Sequence, residues 1–125
     1  MLAVSNPIAA IDFYRRAFGA EVRWQIGDPA EVAGLTINGA ELFLARENPP
    51  STRSPELVSH TTVRIELFVD DPEAVRERAI AAGATPGAPV THHRHETVEG
   101  GAFEMLQGTV HDPFGHVWLI GRFLD

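Results

Sequence analysis

Cysteine and lysine are both missing from this 125-residue chain. Without cysteine there is neither a disulfide framework nor thiolate ligation of a metal, and thiols give no reading of the redox compartment. The ten basic residues are therefore all arginine, a pattern that fits a GC-rich genome and carries no functional weight. Long apolar runs are missing too. None approaches the roughly 18 residues that a membrane-spanning helix needs, and residues 1–4 lack the length and basic flank of a signal peptide. The cytoplasm is the expected compartment, with no membrane partner. Positive charge is scarce: 17 acidic against 10 basic side chains leave a formal charge of -7. That argues against a nucleic-acid partner, which usually requires a basic patch, and suits a cationic ligand.

What remains is the composition of an ordinary globule, 44% hydrophobic and 22% charged, long enough for one domain with its own core. After a short strand candidate at residues 2–5, Asn6 and Pro7 supply an N-cap and a proline at the first helical position. Ile8, Ile11, Phe13, Tyr14, Ala17 and Phe18 then recur at helical spacing until Gly19 stops the helix. Strand candidates follow at 21–26, 34–37 and 41–45, the last two joined by Asn38-Gly39, a strong hairpin signal. Residues 46–59 contain Asn48, Pro49, Pro50 and Pro55 without periodicity and read as a connecting loop.

The second half begins with strict alternation over 62–69, which puts Val63, Ile65, Leu67 and Val69 on a helix-facing side and Arg64, Glu66 and Phe68 on the other. Asp71 and Pro72 repeat the cap-plus-proline start, Glu73 suits the helix dipole, and Ala74, Val75, Ala79 and Ile80 form a buried stripe ended by Gly83. His92, His93 and His95 lie in a polar run, with a turn at 99–101 and a strand from 103 toward 111. Asp112-Pro113-Phe114-Gly115 has the chemistry of a tight turn before the last strand. There, Val110, Trp118 and Ile120 share one face, and Thr109, His111, Val117 and Leu119 share the other. The halves also match literally: Val4-Ser-Asn-Pro-Ile-Ala9 against Val69-Asp-Asp-Pro-Glu-Ala74, and residues 39–46 against 115–122. A duplication of roughly 65 to 75 residues makes the fold class α+β, built from two βαβββ modules.

With that duplication in view, the helix Ala10-Ile-Asp-Phe-Tyr-Arg-Arg-Ala-Phe-Gly-Ala20 and the run Asp112-Pro-Phe-Gly-His116 resemble the vicinal oxygen chelate superfamily, the glyoxalase/bleomycin-resistance/extradiol-dioxygenase group, and its PhnB-like branch. The resemblance covers nearly the whole chain. It implies a single domain, 1–125, of two modules that form a paired half-barrel: module one at about 1–46, a linker at 47–60 and module two at 61–125. It also implies a homodimer, and a cup that holds a metal or a small ligand. Enzymes of that group carry His and Glu metal ligands on the first and last strand of each module. The first such position would fall before Met1, and the others fall on Phe43, Arg64 and Leu119, none of which suits a divalent metal.

The expected ligand-binding cup is therefore Phe43, Arg64, Glu66, Phe68, His111, Leu119 and Glu41, with Val117 and Trp24 as further apolar wall. Arg64 and Glu66 are expected to form a mutual ion pair in it. This mix of apolar walls and a few polar groups is that of a small-molecule site. The expected function is a small-molecule-binding protein that lacks the usual metal set, needs no cofactor and sequesters a cationic or aromatic ligand. The alternative is a metal-dependent glyoxalase- or dioxygenase-like lyase, isomerase or oxygenase whose divalent metal is held by His93, His95 and His111. His60 is expected in a loop, and His116 is expected to be structural.

Overall fold

A computed structural model describes all 125 residues. The first module runs β1 (Leu2–Val4), α1 (Pro7–Phe18), β2 (Glu21–Ile26), β3 (Val32–Ile37) and β4 (Ala40–Arg46); after α2 (Pro55–Val58), the second runs β5 (Arg64–Phe68), α3 (Pro72–Ala81), β6 (Thr85–Pro86), β7 (Thr91–Glu96), β8 (Ala102–His111) and β9 (Val117–Leu124). The expected elements are present with small shifts at their ends. The connecting segment differs from expectation by containing α2, a single turn begun by Pro55. Residues 92–95 lie within a strand, β7, because their amides pair with β8. No helix is long and apolar enough to cross a membrane.

The two long helices, α1 and α3, start as the sequence dictates. The Asn6 side chain accepts from the Ala9 amide at 3.1 Å and the Asp71 side chain from the Ala74 amide at 3.1 Å, each satisfying a donor that a first helical turn leaves free. Asn38 and Gly39 have φ of 50° and 80°, the two positive values a type I′ hairpin requires. In the first sheet the strand order is β1-β4-β3-β2, with β1 parallel to β4. The second repeats it as β5-β9-β8, with β5 parallel to β9 and with β6 and β7 both pairing to β8. The internal repeat in the sequence is thus a repeat of topology.

One face of each sheet is covered by the helices. Leu2, Val4, Leu35 and Leu44 from the first sheet and Leu67, Val110, Trp118 and Ile120 from the second join Phe13, Tyr14, Ala17 and Phe18 of α1 in one core. Rings carry the junction between modules: Phe18 and Trp118 have centroids 4.5 Å apart, and Tyr14 and Trp118 5.5 Å. The helices also cap each other. Arg78 Nε donates to the Arg16 carbonyl at 2.6 Å, and Arg16 Nη1 donates to the Ala82 carbonyl at 3.1 Å, so each last turn receives a cation from the other module.

At the centre of the junction is Asp112, 4% exposed. Its Oδ2 accepts from the Tyr14 hydroxyl at 2.6 Å and from Trp118 Nε1 at 2.9 Å. Its Oδ1 accepts from the amides of Phe114 at 2.9 Å and His116 at 3.0 Å. The turn motif thus sets its own conformation and fastens module one to module two. Next to it, His116 Nε2 donates to the Ala3 carbonyl on β1 at 2.8 Å, which gives this histidine the structural role expected of it.

Removing the carboxylate strands several buried donors at about 1–3 kcal/mol each. Asp112→Ala is expected to lower the unfolding free energy by roughly 4 kcal/mol or more, read from urea denaturation. Asp112→Asn keeps one oxygen acceptor and is expected to cost less. Tyr14 gives a second test. Burial, and then the neighbouring Asp112 carboxylate, push its hydroxyl well above the ordinary value of 10.0. The folded state therefore holds the proton to higher pH than the unfolded chain, so the contribution of Tyr14 to stability is level below about pH 9 and falls above pH 10, by at most about 1.4 kcal/mol per pH unit. Tyr14 is the sole tyrosine, and lysine and cysteine are absent, so no other side chain of that range obscures the decline. In Tyr14→Phe the decline should vanish from alkaline denaturation curves.

Candidate functional site

The sheet faces turned away from the core carry the candidate site. Strand alternation puts Arg64, Glu66 and Phe68 on the outer face of β5, and the register of β9 and β8 aligns Glu66 with Leu119 and Leu119 with Thr109. The same face therefore collects Leu119 and Phe123 from β9, Phe103, Met105 and Gln107 from β8, and His95 from β7. Together these form an open depression of about 450 Å3, bounded at its edge by Glu96. Its floor is Leu119 and Met105, 9% and 4% exposed. Between Phe68 and Gln107 the register places Gly121, whose missing side chain keeps the floor low. A Cβ there would stand 2.7 Å from the Leu106 carbonyl oxygen, so the strands approach too closely to admit one.

One end of the depression is aromatic. Phe68 and Phe123 stack with centroids 5.0 Å apart, Phe103 meets Phe123 edge-on at 5.6 Å, and the His95 ring lies 5.1 Å from Phe103. The other end is polar. Gln107 Nε2 donates to Glu66 Oε1 at 2.8 Å. The expected Arg64–Glu66 ion pair does not form: Arg64 has no hydrogen-bond or ion-pair partner, and the carboxylate accepts from the neutral Gln107 amide, which projects across β9 from β8. The guanidinium stands free in the depression.

Of the residues anticipated for the cup, Arg64, Glu66, Phe68 and Leu119 meet here. Phe43 and Glu41 lie on β4 of the first sheet and do not line this depression. Phe43 instead packs edge-on against Trp24 at 5.1 Å. A bulge between Val22 and Trp24 turns that indole onto Gly34, where a Cβ would sit 2.4 Å from the ring. His111 and Val117 lie on the expected strand face but near its far end, where they line a separate hollow with Pro55, Glu56 and His60. The residues that sequence reasoning missed are Phe103, Met105, Gln107 and Phe123. Two-residue alternation backward from His111 and forward from Leu119 points to all four.

The three-histidine alternative fails on geometry. His93 and His95 stack with ring centroids 6.0 Å apart, and His93 Nε2 is engaged with Thr91 Oγ1 at 3.0 Å. His93 faces Met105 across the ladder, six positions along β8 from His111, or roughly 20 Å at strand rise. No group of three or more His, Asp or Glu side chains converges as a metal set anywhere in the chain. At the positions implied by resemblance, Phe43, Arg64 and Leu119 offer a ring, a cation and an alkyl group, so the residues present do not fit a divalent metal.

Comparison with known proteins agrees with this architecture. Uncharacterized proteins of Mycobacterium bovis and Mycobacterium tuberculosis are each 34% identical over 128 aligned positions, which span 97% of this chain and 79% and 71% of theirs. TioX from Micromonospora sp. ML1 superposes with a TM-score of 0.67 at 28% identity, covering 99% of this chain and 93% of its own. A glyoxalase-related enzyme from Fulvimarina pelagi shares the fold at a TM-score of 0.65 and 23% identity, over 97% and 83% of the two chains. A family model matches residues 1–120, nearly the whole of both modules, and the chain thereby belongs to the Glyoxalase/Bleomycin resistance protein/Dioxygenase superfamily.

Proposed function

We propose that this chain is a small-molecule-binding protein of the superfamily, in its PhnB-like branch, and that the outer face of the second sheet takes the aromatic part of its ligand. The observation that carries this reading is the contiguous Phe68–Phe123–Phe103–His95 cluster beside Arg64 and Glu66. Single exposed apolar residues are normal on a soluble protein, but a contiguous apolar patch with a few convergent polar groups is the usual makeup of a binding site. Phe68, Phe103 and Phe123 remain 44%, 40% and 54% exposed, and the ring faces they leave open suit stacking or edge-on contact with a flat ligand. The metal-dependent alternative has no donor set to support it.

The PhnB-like placement rests on the residue 10–20 helix and the Asp112–His116 turn. The same reading takes the chain to be a homodimer, supported by large exposed apolar side chains on the first sheet, outside the ligand face, among them Trp24, Ile26 and Phe43. Sedimentation equilibrium should return twice the chain's 13.6 kDa; a mass of one chain at micromolar concentration would remove the dimer from the proposal.

Binding is tested by thermal denaturation with a panel of flat aromatic compounds. A compound at about 100 times its dissociation constant adds roughly 2.7 kcal/mol of stability, a rise on the order of 10 °C for a domain of this size. Phe103→Ala and Phe123→Ala, both at exposed positions, should fold normally and lose most of that rise. An undiminished rise in both variants would place the binding elsewhere.

A further inference from the structure

The free guanidinium specifies a ligand chemistry. Resting on the binding role proposed above, the geometry points to an elongated aromatic carboxylate as the ligand of this face: ring in the phenylalanine cluster, carboxylate on Arg64, and a hydrogen-bond donor between them.

Three placements lead to this. First, Arg64 carries five N–H donors in a fork that matches a carboxylate, and none is used within the chain, where Glu66 accepts from Gln107 and not from Arg64. Second, Arg64 and Phe68 are the two ends of β5, four strand steps or about 13 Å apart, so one ligand reaches both only if its anion and its ring are separated by several atoms. Third, the middle of the depression presents acceptors. Gln107 Nε2 occupies Glu66 Oε1, which leaves Glu66 Oε2 and Gln107 Oε1 without a donor from the chain. A ligand N–H or O–H satisfies them, whereas a second anion there would face the Glu66 carboxylate.

The overall charge of -7 does not oppose this assignment. Diffuse surface charge is screened beyond about 8 Å at physiological ionic strength, while a carboxylate on Arg64 sits at hydrogen-bond distance. The acidic balance of the sequence favours cations in general; the end of this face that Arg64 occupies presents an unpartnered donor fork, which favours an anion at that point.

The test uses 2-naphthoylglycine, which has a flat ring, one amide N–H and a terminal carboxylate, against its neutral primary amide and against a 2-naphthyl amine cation. With the intact chain, titration calorimetry should show the acid binding about tenfold or more tighter than the amide, as expected for a charge-assisted pair, with the cation weakest. In Arg64→Gln the acid should fall to the level of the amide while the amide is unchanged; Arg64→Lys should retain part of the preference. Equal binding of acid and amide by the intact chain, or a preference that survives Arg64→Gln, overturns the anionic assignment and leaves the aromatic site standing. Loss of acid and amide binding alike in Phe103→Ala supports the shared site. No binding of any of the three compounds overturns this inference, and failure of the whole aromatic panel would overturn the binding role as well.

Discussion

The arrangement of the molecule depends on one buried carboxylate. Apolar contacts between the modules are compatible with more than one relative placement, since hydrophobic burial is non-directional. Asp112 is not so permissive. It takes a hydroxyl from α1, an indole N–H from β9 and two amides from its own turn, and burying it is tolerable only while those donors are in place. The tight turn therefore fixes how the first helix meets the last strand. Fixing it directs the helix-covered faces of both sheets into one core and leaves their other faces outward, so the candidate site is a consequence of the turn although no residue of the turn touches it.

How far the sequence revealed this differs by element. Helix starts were legible because Asn6-Pro7 and Asp71-Pro72 solve a local problem, the free amides of a first turn. The face assignments of residues 64–68 and 117–120 were legible because alternation is a property of one strand. Pairing between strands was not. Glu66 and Gln107 are 41 residues apart, and their contact follows from the register of three strands, β5, β9 and β8, which no local pattern specifies. The nearest cation in the sequence, Arg64, was therefore the natural but mistaken partner. The same limit separated Phe43 and Glu41 from the rest of the anticipated cup: each faces outward as expected, but on the other sheet.

The substitution of an amide for an ion pair matters beyond bookkeeping of contacts. An Arg64–Glu66 pair would have left the polar groups of the depression spent on each other. Gln107 quiets one carboxylate oxygen and consumes no cation, so the polar end retains both a donor fork and open acceptors while the aromatic end supplies area. Glu96, at the margin, lies 3.8 Å from Arg94 and so has a cation of its own beside it. The chain as a whole is acidic, whereas the polar end of this face offers a localised guanidinium that the Glu66 carboxylate, held by Gln107, does not pair with. Long-range attraction of cations and short-range recognition of an anion operate over different distances, and only the second is set by named side chains in the depression.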